Sequence, residues 1–236
     1  MKADYLARLN QFRAERQPCA LVTHLKDGTQ RFLTLADMDH DPLHAELAQA
    51  FRLNKSAVVE REGEKYFITI QAPPLRIIVL GAVHVSQSMA GMARLLGYDL
   101  MVVDPRTAFA SETRFPDTRV VAEWPDQALP ALRLDAFTAF VALTHDPKID
   151  DPGLELALKS PCFYIGALGS RKTHARRIER LQKVGFTEAD LARIHAPIGL
   201  NIGGVSPAEI ALSIMAEITA TLRLPAKAER LAQQGG

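Results

Sequence analysis

Residues 75–106 read LRIIVLGAVHVSQSMAGMARLLGYDLMVVDPR, and their reading decides the fold. Arg76–Leu80 is a short apolar run, rich in β-branched residues, that ends at Gly81. That is the pattern of a strand buried in a parallel sheet. Val85, Met89, Met92, Leu95 and Leu96 then recur at helical spacing, and Gly97 stops that helix. Leu100–Val103 is a second apolar run ending on Asp104. Strand, turn, helix and strand with an acid at the tip form the opening unit of a dinucleotide-binding fold.

The glycine fingerprint of that fold is incomplete. Three glycines ordinarily serve the tight turn, the close approach of a pyrophosphate, and helix–strand packing. Here only Gly81 is present; Val83 and Ser86 stand at the other two positions. A branched side chain at position 83 would crowd a diphosphate at the helix N-terminus. Ordinary NAD binding is therefore less well signalled than the fold. Asp104 reads either as an acceptor for a ribose or ligand hydroxyl or as a strand-end acid fixing the Asp104-Pro105 turn.

Outward from this unit, the chain repeats β, α, β. Arg119–Val121, Phe137–Leu143 and Cys162–Ile165 read as strands, and Pro125–Leu132, Asp150–Lys159, Lys172–Val184 and Thr187–Ile194 as helices. A Gly/Pro-rich loop runs from His195 to Ser206, and a last helix, Pro207–Leu222, opens on a capping box of Ser206 and Glu209. Toward the N-terminus, residues 1–74 read as a small α+β domain. It holds a helix Asp4–Glu15, a hairpin Cys19–His24 with Arg31–Leu35, a helix from Asp41-Pro42 to Leu53, and a second hairpin Ala57–Glu60 with Lys65–Ile70. Ala72-Pro73-Pro74 is the stiff boundary. The expectation is an α/β protein: a Rossmann-like parallel sheet with helices on both faces over 75–236, behind the small N-terminal domain.

A formal net charge of +1 and the lack of a basic run argue against nucleic acid as a partner. No stretch approaches the roughly 20 apolar residues of a membrane span, and the start lacks a signal-peptide core. A cytoplasmic location is the expectation. Two cysteines, Cys19 and Cys162, lie far apart, form no zinc-type pair, and begin apolar runs, so they read as buried small hydrophobes. Lys227–Gly236 is polar and expected to fray.

In an open parallel sheet, ligands bind beyond the carboxyl ends of the strands. The polar segments here follow strands: Asp104-Pro105-Arg106, Thr144-His145-Asp146, Gly166 to Arg171, and His195 to Gly204. Together they describe one crevice for a polar, anionic ligand. Gly166, Gly169, Ser170 and Arg171 open a helix and suit a phosphate, or simply a glycine turn with an N-cap. His145 and Asp146 are ligand contacts or solvated loop residues. Arg106 and Arg114 flank a loop able to close over the ligand, or are solvated arginines. The glycines of His195 to Gly204, around Asn201, bring backbone close to a ligand, to another strand, or to a second protomer.

These segments resemble the XdhC/CoxI family, accessory proteins of molybdenum hydroxylases such as xanthine dehydrogenase. The resemblance runs through GAVHV (81–85), VVDPR (102–106), RFPD (114–117), THDPKIDDP (144–152), YIGALGSRKT (164–173), APIGLNIGG (196–204) and SPAEIALSIMAEI (206–218). Family members usually have GAGHV where this chain has Val83. Longer members carry an N-terminal serine-proline-arginine motif and a glycine-rich cysteine motif that are not in this sequence.

The resemblance implies a protein that binds the molybdenum cofactor (molybdopterin, in mononucleotide or dinucleotide form), protects it while a cysteine desulfurase supplies sulfur, and delivers it to the hydroxylase. It also implies a homodimer through the last helix. By position and residue type, the candidate cofactor-binding set is Gly81, His84, Asp104, Arg106, Arg114, His145, Asp146, Gly166, Gly169, Ser170, Arg171 and Asn201. Gly169 to Arg171 would take the phosphate, His145, Asp146 and Asp104 the pterin edges or nucleotide hydroxyls, and Arg106 and Arg114 the metal oxo groups. Such a protein has no turnover of its own. Two other readings stay open: an oxidoreductase using NAD(P) in the same crevice, and a pure interaction protein.

Overall fold

The computed structural model describes residues 3–224, and the C-terminal segment expected to fray lies outside them. The chain divides into two compact units, Met1–Pro73 and Pro74–Gly236.

The first unit is built on an antiparallel sheet of order β2-β1-β4-β3, from β1 (Cys19–His24), β2 (Gln30–Thr34), β3 (Ala57–Arg61) and β4 (Glu64–Gln71). Helices α1 (Ala3–Ala14), α2 (Leu35–Met38) and α3 (His44–Leu53) complete it. Strand β1 is buried on both faces. Ala20 and Val22 pack with Leu43, Leu47 and Ile68, while Cys19 and Leu21 pack with Leu9 and Phe32. This explains its unbroken apolar run. The helix expected from Asp41 starts at His44, because Asp41 is used differently. It accepts two hydrogen bonds from Arg31, at 2.6 and 2.9 Å, and one from the Leu43 N–H.

The second unit is a six-stranded parallel sheet of order β10-β9-β8-β5-β6-β7. Its strands are β5 (Arg76–Leu80), β6 (Asp99–Val103), β7 (Arg119–Val121), β8 (Thr138–Ala142), β9 (Tyr164–Ala167) and β10 (Ile194–His195). In chain order this is the doubly wound arrangement, with the direction of winding reversing between β5 and β8. Helices are α4 (His84–Leu95), α5 (Pro125–Leu132), α6 (Pro147–Leu158), α7 (Arg171–Lys183), α8 (Glu188–Leu191) and α9 (Pro207–Arg223).

The strand period of two sorts β5 between two cores. Ile77 and Val79 pack with Met89 of α4 and with Ile214, Met215 and Ile218 of α9. Ile78 and Leu80 pack with Leu129, Leu154, Leu158 and Leu181 from α5, α6 and α7. Several boundaries differ from the sequence expectation, and helix α8 closes at Leu191 rather than Ile194. Helix α6 begins at Pro147, capped by the Asp146 carboxylate. Strand β9 begins at Tyr164, after Cys162. Ile194–His195, read as helix end and loop, pairs with Ile165 and Gly166 as the edge strand β10.

Candidate functional site: the carboxyl edge of the parallel sheet

Gly81 leaves β5 with φ of 113°, a conformation that favours glycine, and a Cβ there would stand 3.0 Å from Thr144 Cγ2. This close approach joins the ends of β5 and β8 at the reversal point of the sheet. The acid at the tip of β6 folds back onto the same turn. Asp104 is fully buried, and its Oδ2 accepts the Ala82 N–H at 2.7 Å. Arg106 closes on the carboxylate from the other side. Its own N–H and its Nε each reach Oδ1 at 2.9 Å, and its Nη2 reaches Oδ2 at 2.8 Å. Burial opposes ionisation of Asp104, but these donors outweigh it, so the carboxyl lies below its ordinary range. The acceptor capacity of Asp104 is thus used within the chain.

The N-terminus of α4 is committed in the same way. Ser86, fully buried, accepts the Val83 N–H on Oγ at 2.9 Å and donates back to the Val83 carbonyl at 2.7 Å. The Val83 side chain packs against the core. Arg114 adds a third tie: its Nη1 donates to the Ala82 carbonyl at 3.0 Å and to the Phe109 carbonyl at 3.1 Å. The guanidinium groups of Arg106 and Arg114 lie 4.8 and 5.5 Å from the Phe109 ring centroid. The amides of residues 82 and 83, where a dinucleotide pyrophosphate would sit, are therefore held by Asp104 and Ser86. His84 is exposed in the first turn of α4.

After β8, His145 adopts a left-handed φ of 62° and is exposed. Asp150, buried in the first turns of α6, shapes this loop: it accepts from Thr144 Oγ1 at 2.7 Å, from the Thr144 N–H at 3.3 Å and from the His145 N–H at 3.1 Å. Burial nevertheless pushes its carboxyl above the ordinary range. Asp146 accepts the Lys148 N–H at 2.9 Å as the N-cap of α6. Arg106, raised above its ordinary range first by its hydrogen bonds to Asp104, also feels the charges of Asp146 and Asp150. The 104 and 144 loops are neighbours.

After β9, Gly166 allows Ile198 to lie against the strand; a Cβ would stand 2.5 Å from Ile198 Cδ1. Gly169 precedes Ser170, which caps α7 by accepting the Thr173 N–H at 3.2 Å, and Arg171 is exposed. The 195–204 loop is tied to α9 through Glu217. That carboxylate accepts from Tyr164 Oη at 2.6 Å and from the Gly199 N–H at 2.8 Å, and lies 3.0 Å from His195 Nδ1. Burial opposes its charge, yet these partners hold it below the usual carboxylate range. Burial, followed by the Glu217 contact, drives the Tyr164 phenol upward.

The four segments share one edge but open into separate cavities. One, of about 440 Å³, is lined by Leu168 of the β9–α7 loop and Arg171 at the start of α7, by Pro197 and Asn201, and by Ile210 and Ser213 of α9. A second, of about 150 Å³, lies between the β8–α6 loop and α7 and includes His145, Asp150 and Thr173. Gly81, Asp104, Arg106 and Arg114 form the clasp on Ala82. Arg171 and Asn201 are thus brought together, His145 lines another cavity, and Asp146 serves the α6 cap. Sequence reasoning missed Ser86, Asp150, Arg177 and Glu217. The signal for Glu217 was a lone acid within the apolar run of the last helix.

Both thiols are buried, and burial pushes Cys19 up to about 11 and Cys162 up to about 12. Burial outweighs the nearby Arg8 at Cys19 and Arg193 and Arg76 at Cys162, so neither is poised as a thiolate. Among the described residues no group of three or more His, Cys, Asp or Glu is placed to hold a metal ion, and no helix is long and apolar enough to cross a membrane.

The XdhC Rossmann domain family matches residues 77–218, the sheet and helices just described. The chain belongs to the XdhC family. Among its relatives, the XdhC chain is 32% identical over 154 residues to an uncharacterized protein, YqeB, of Escherichia coli K12, covering 64% of this chain and 28% of that one. It is 30% identical over 152 residues to the molybdenum cofactor insertion chaperone PaoD of the same organism, covering 64% and 41%. It is 31% identical over 156 residues to a Bacillus subtilis protein named as a probable xanthine dehydrogenase subunit, covering 66% and 45%. The XdhC chain therefore spans less than half the length of these relatives. In three dimensions it is similar to a crystal structure described as a xanthine dehydrogenase from Bacillus halodurans, with a TM-score of 0.65 at 23% identity, covering 95% of this chain and 66% of that one. That likeness is one of fold.

Proposed function

We propose that this XdhC-family chain carries the molybdenum cofactor at the carboxyl edge of its parallel sheet, shields it while a cysteine desulfurase supplies sulfur, and passes it to a xanthine dehydrogenase-type hydroxylase. The observation that carries the reading is a contrast along one edge. The turn that would seat the pyrophosphate of NAD(P) is filled by the chain's own Asp104 and Ser86. A cavity of about 440 Å³ on the same edge is lined by Arg171 and Asn201 together with Leu168, Pro197 and Ile210. Family membership and the named function of PaoD support the same reading.

The residues fit such a cargo in part. Arg171 and the Ser170 cap, with Gly169 before them, suit a phosphoryl group at the mouth of α7. Asn201 and the backbone of the 195–204 loop offer donors and acceptors to a pterin edge. His145 faces the adjoining space, and Arg106 keeps Nη1 outside its pair with Asp104. When bound, the cofactor supplies an oxo-transfer centre for the hydroxylase to use. The chain's contribution is binding, orientation and exclusion of water, without turnover. A dinucleotide form of the cofactor, a homodimer through α9 and a cytoplasmic location belong to this proposal.

The test is the pterin content of protein purified after co-expression with cofactor biosynthesis, read as the oxidised fluorescent pterin, together with titration by NADH and NADPH. Stoichiometric pterin without NAD(P)H binding supports carriage. Saturable NAD(P)H binding without pterin would favour an oxidoreductase and sink the proposal.

A further inference from the structure

Arg177 is placed unlike the other arginines of α7. It is only 2% exposed, and a single hydrogen bond is made, from Nη2 to the Leu168 carbonyl at 2.9 Å. Its Nε and Nη1 are buried and have no partner among the described residues. A guanidinium stays charged at any physiological pH, so two unmet donors on a buried cation are costly unless something else accepts from them. The side chain lines the cavity of about 150 Å³ between the β8–α6 loop and α7. Around it stand His145, Asp150, Thr173, Arg176 and Arg180.

The charges at this cavity are unbalanced. Arg180 is answered by Asp151, with bonds of 2.5 and 2.9 Å. Asp150 faces Arg177 but spends its oxygens on Thr144 and His145. Arg176 is exposed at the rim. The left-handed backbone of His145, fixed by Asp150, holds the imidazole over the same space. The cavity is well below the roughly 300–1,000 Å³ of sites that enclose whole ligands, and suits one tetrahedral oxyanion.

We propose that Arg177, Arg176 and His145 form an oxyanion subsite that takes a phosphoryl group, separate from the Ser170–Arg171 helix start. The subsite stands on the geometry alone; that its phosphoryl group belongs to the carried cofactor rests on the function proposed above. Arg177 would donate from its unmet Nη1 to one phosphoryl oxygen, a charge-assisted hydrogen bond, with Arg176 and His145 answering the others from the rim.

The test is thermal unfolding of the full chain in inorganic phosphate against potassium chloride of equal ionic strength. At about tenfold excess over the dissociation constant, the midpoint should rise by about 3 °C in phosphate alone. R176Q, at an exposed position, should weaken the apparent phosphate affinity about tenfold. R177M should lose the shift, and R177K, which keeps the charge without the guanidinium, covers the case in which R177M does not fold. A wild-type shift no larger in phosphate than in chloride overturns the subsite. So does an unaltered shift in R176Q, or in whichever Arg177 variant folds.

Pterin content separates the two sources of phosphate. Pterin lost from the Arg177 variant assigns the cofactor's phosphate to this cavity. Equal pterin in that variant and wild type overturns that assignment while leaving carriage intact. A phosphate shift with no pterin on either protein leaves a site for free phosphate and removes the carrier reading.

Discussion

Asp104 and Arg114 grip the same residue from opposite sides: Asp104 Oδ2 accepts the Ala82 N–H at 2.7 Å, and Arg114 Nη1 donates to the Ala82 carbonyl at 3.0 Å. The two are ten residues apart in sequence and meet on the turn that a dinucleotide-binding protein leaves open for its ligand. Here the turn is a braced structural element, and the space for a ligand lies further along the edge.

Asp104→Asn should destabilise the second unit by about 2–4 kcal/mol, since it removes the charge from a buried, fully bonded carboxylate and leaves Arg106 without its partner. Urea unfolding measures this. The folded carboxyl sits below its unfolded value, so its contribution is complete above the unfolded value of about 4 and is lost as pH falls through the folded value. In Asp104→Asn this part of the acid-side loss of stability should be missing.

Val83→Gly should not create NADH binding. The side chain expected to crowd a pyrophosphate packs instead against the core, and in the variant the amides of 82 and 83 remain with Asp104 and Ser86. Fluorescence titration should stay flat for both proteins. A saturable signal in the variant alone would show that Val83 is the whole obstacle.

Glu217→Gln should loosen the 195–204 loop ahead of the rest of the domain. The charged acceptor for Tyr164, His195 and Gly199 is lost, at about 1–3 kcal/mol. Hydrogen exchange at the Gly199 amide reads it directly. In the wild type, Glu217 is held below its ordinary range of about 4.3, so Gly199 protection should persist above that pH and fade as pH drops through the folded value.

Gly199→Ala should cost about 2–4 kcal/mol. The residue has φ of 89°, and a Cβ would stand 2.3 Å from Ser213 Oγ, so backbone strain and overlap with α9 add. A comparable loss is not expected at Gly203, where nothing lies within 4 Å of the added carbon and only the positive φ of 74° opposes it. Thermal midpoints of the two variants compare them.

Arg171→Ala should change stability by no more than about 0.5 kcal/mol, because the side chain is exposed. It should lower pterin retention yet leave the phosphate-specific thermal shift in place, since Arg171 lines the larger cavity and not the one around Arg177. Unchanged pterin would remove Arg171 from the binding set.

Periodicity sufficed for the sheet. The apolar runs at Arg76–Leu80, Leu100–Val103 and Arg119–Val121, and the helical spacing from Val85, are local properties of the chain, and the first two runs are apolar throughout because both their faces are covered. The start of β9 was misplaced because Cys162 and Phe163 are as apolar as the strand itself. The edge strand at Ile194 was missed because two residues carry no period. The positions of Asp104, Arg106, His145 and Arg171 at strand ends were legible for the same reason that the strands were. What each of them touches was not. A carboxylate in sequence is the same whether it faces a ribose or an amide of its own backbone. Only the approach of the Ala82 amide and of Arg106, backbone and side chain, settles that Asp104 is saturated, and only the packing of α7 against Leu168 leaves Arg177 buried with two donors unmet.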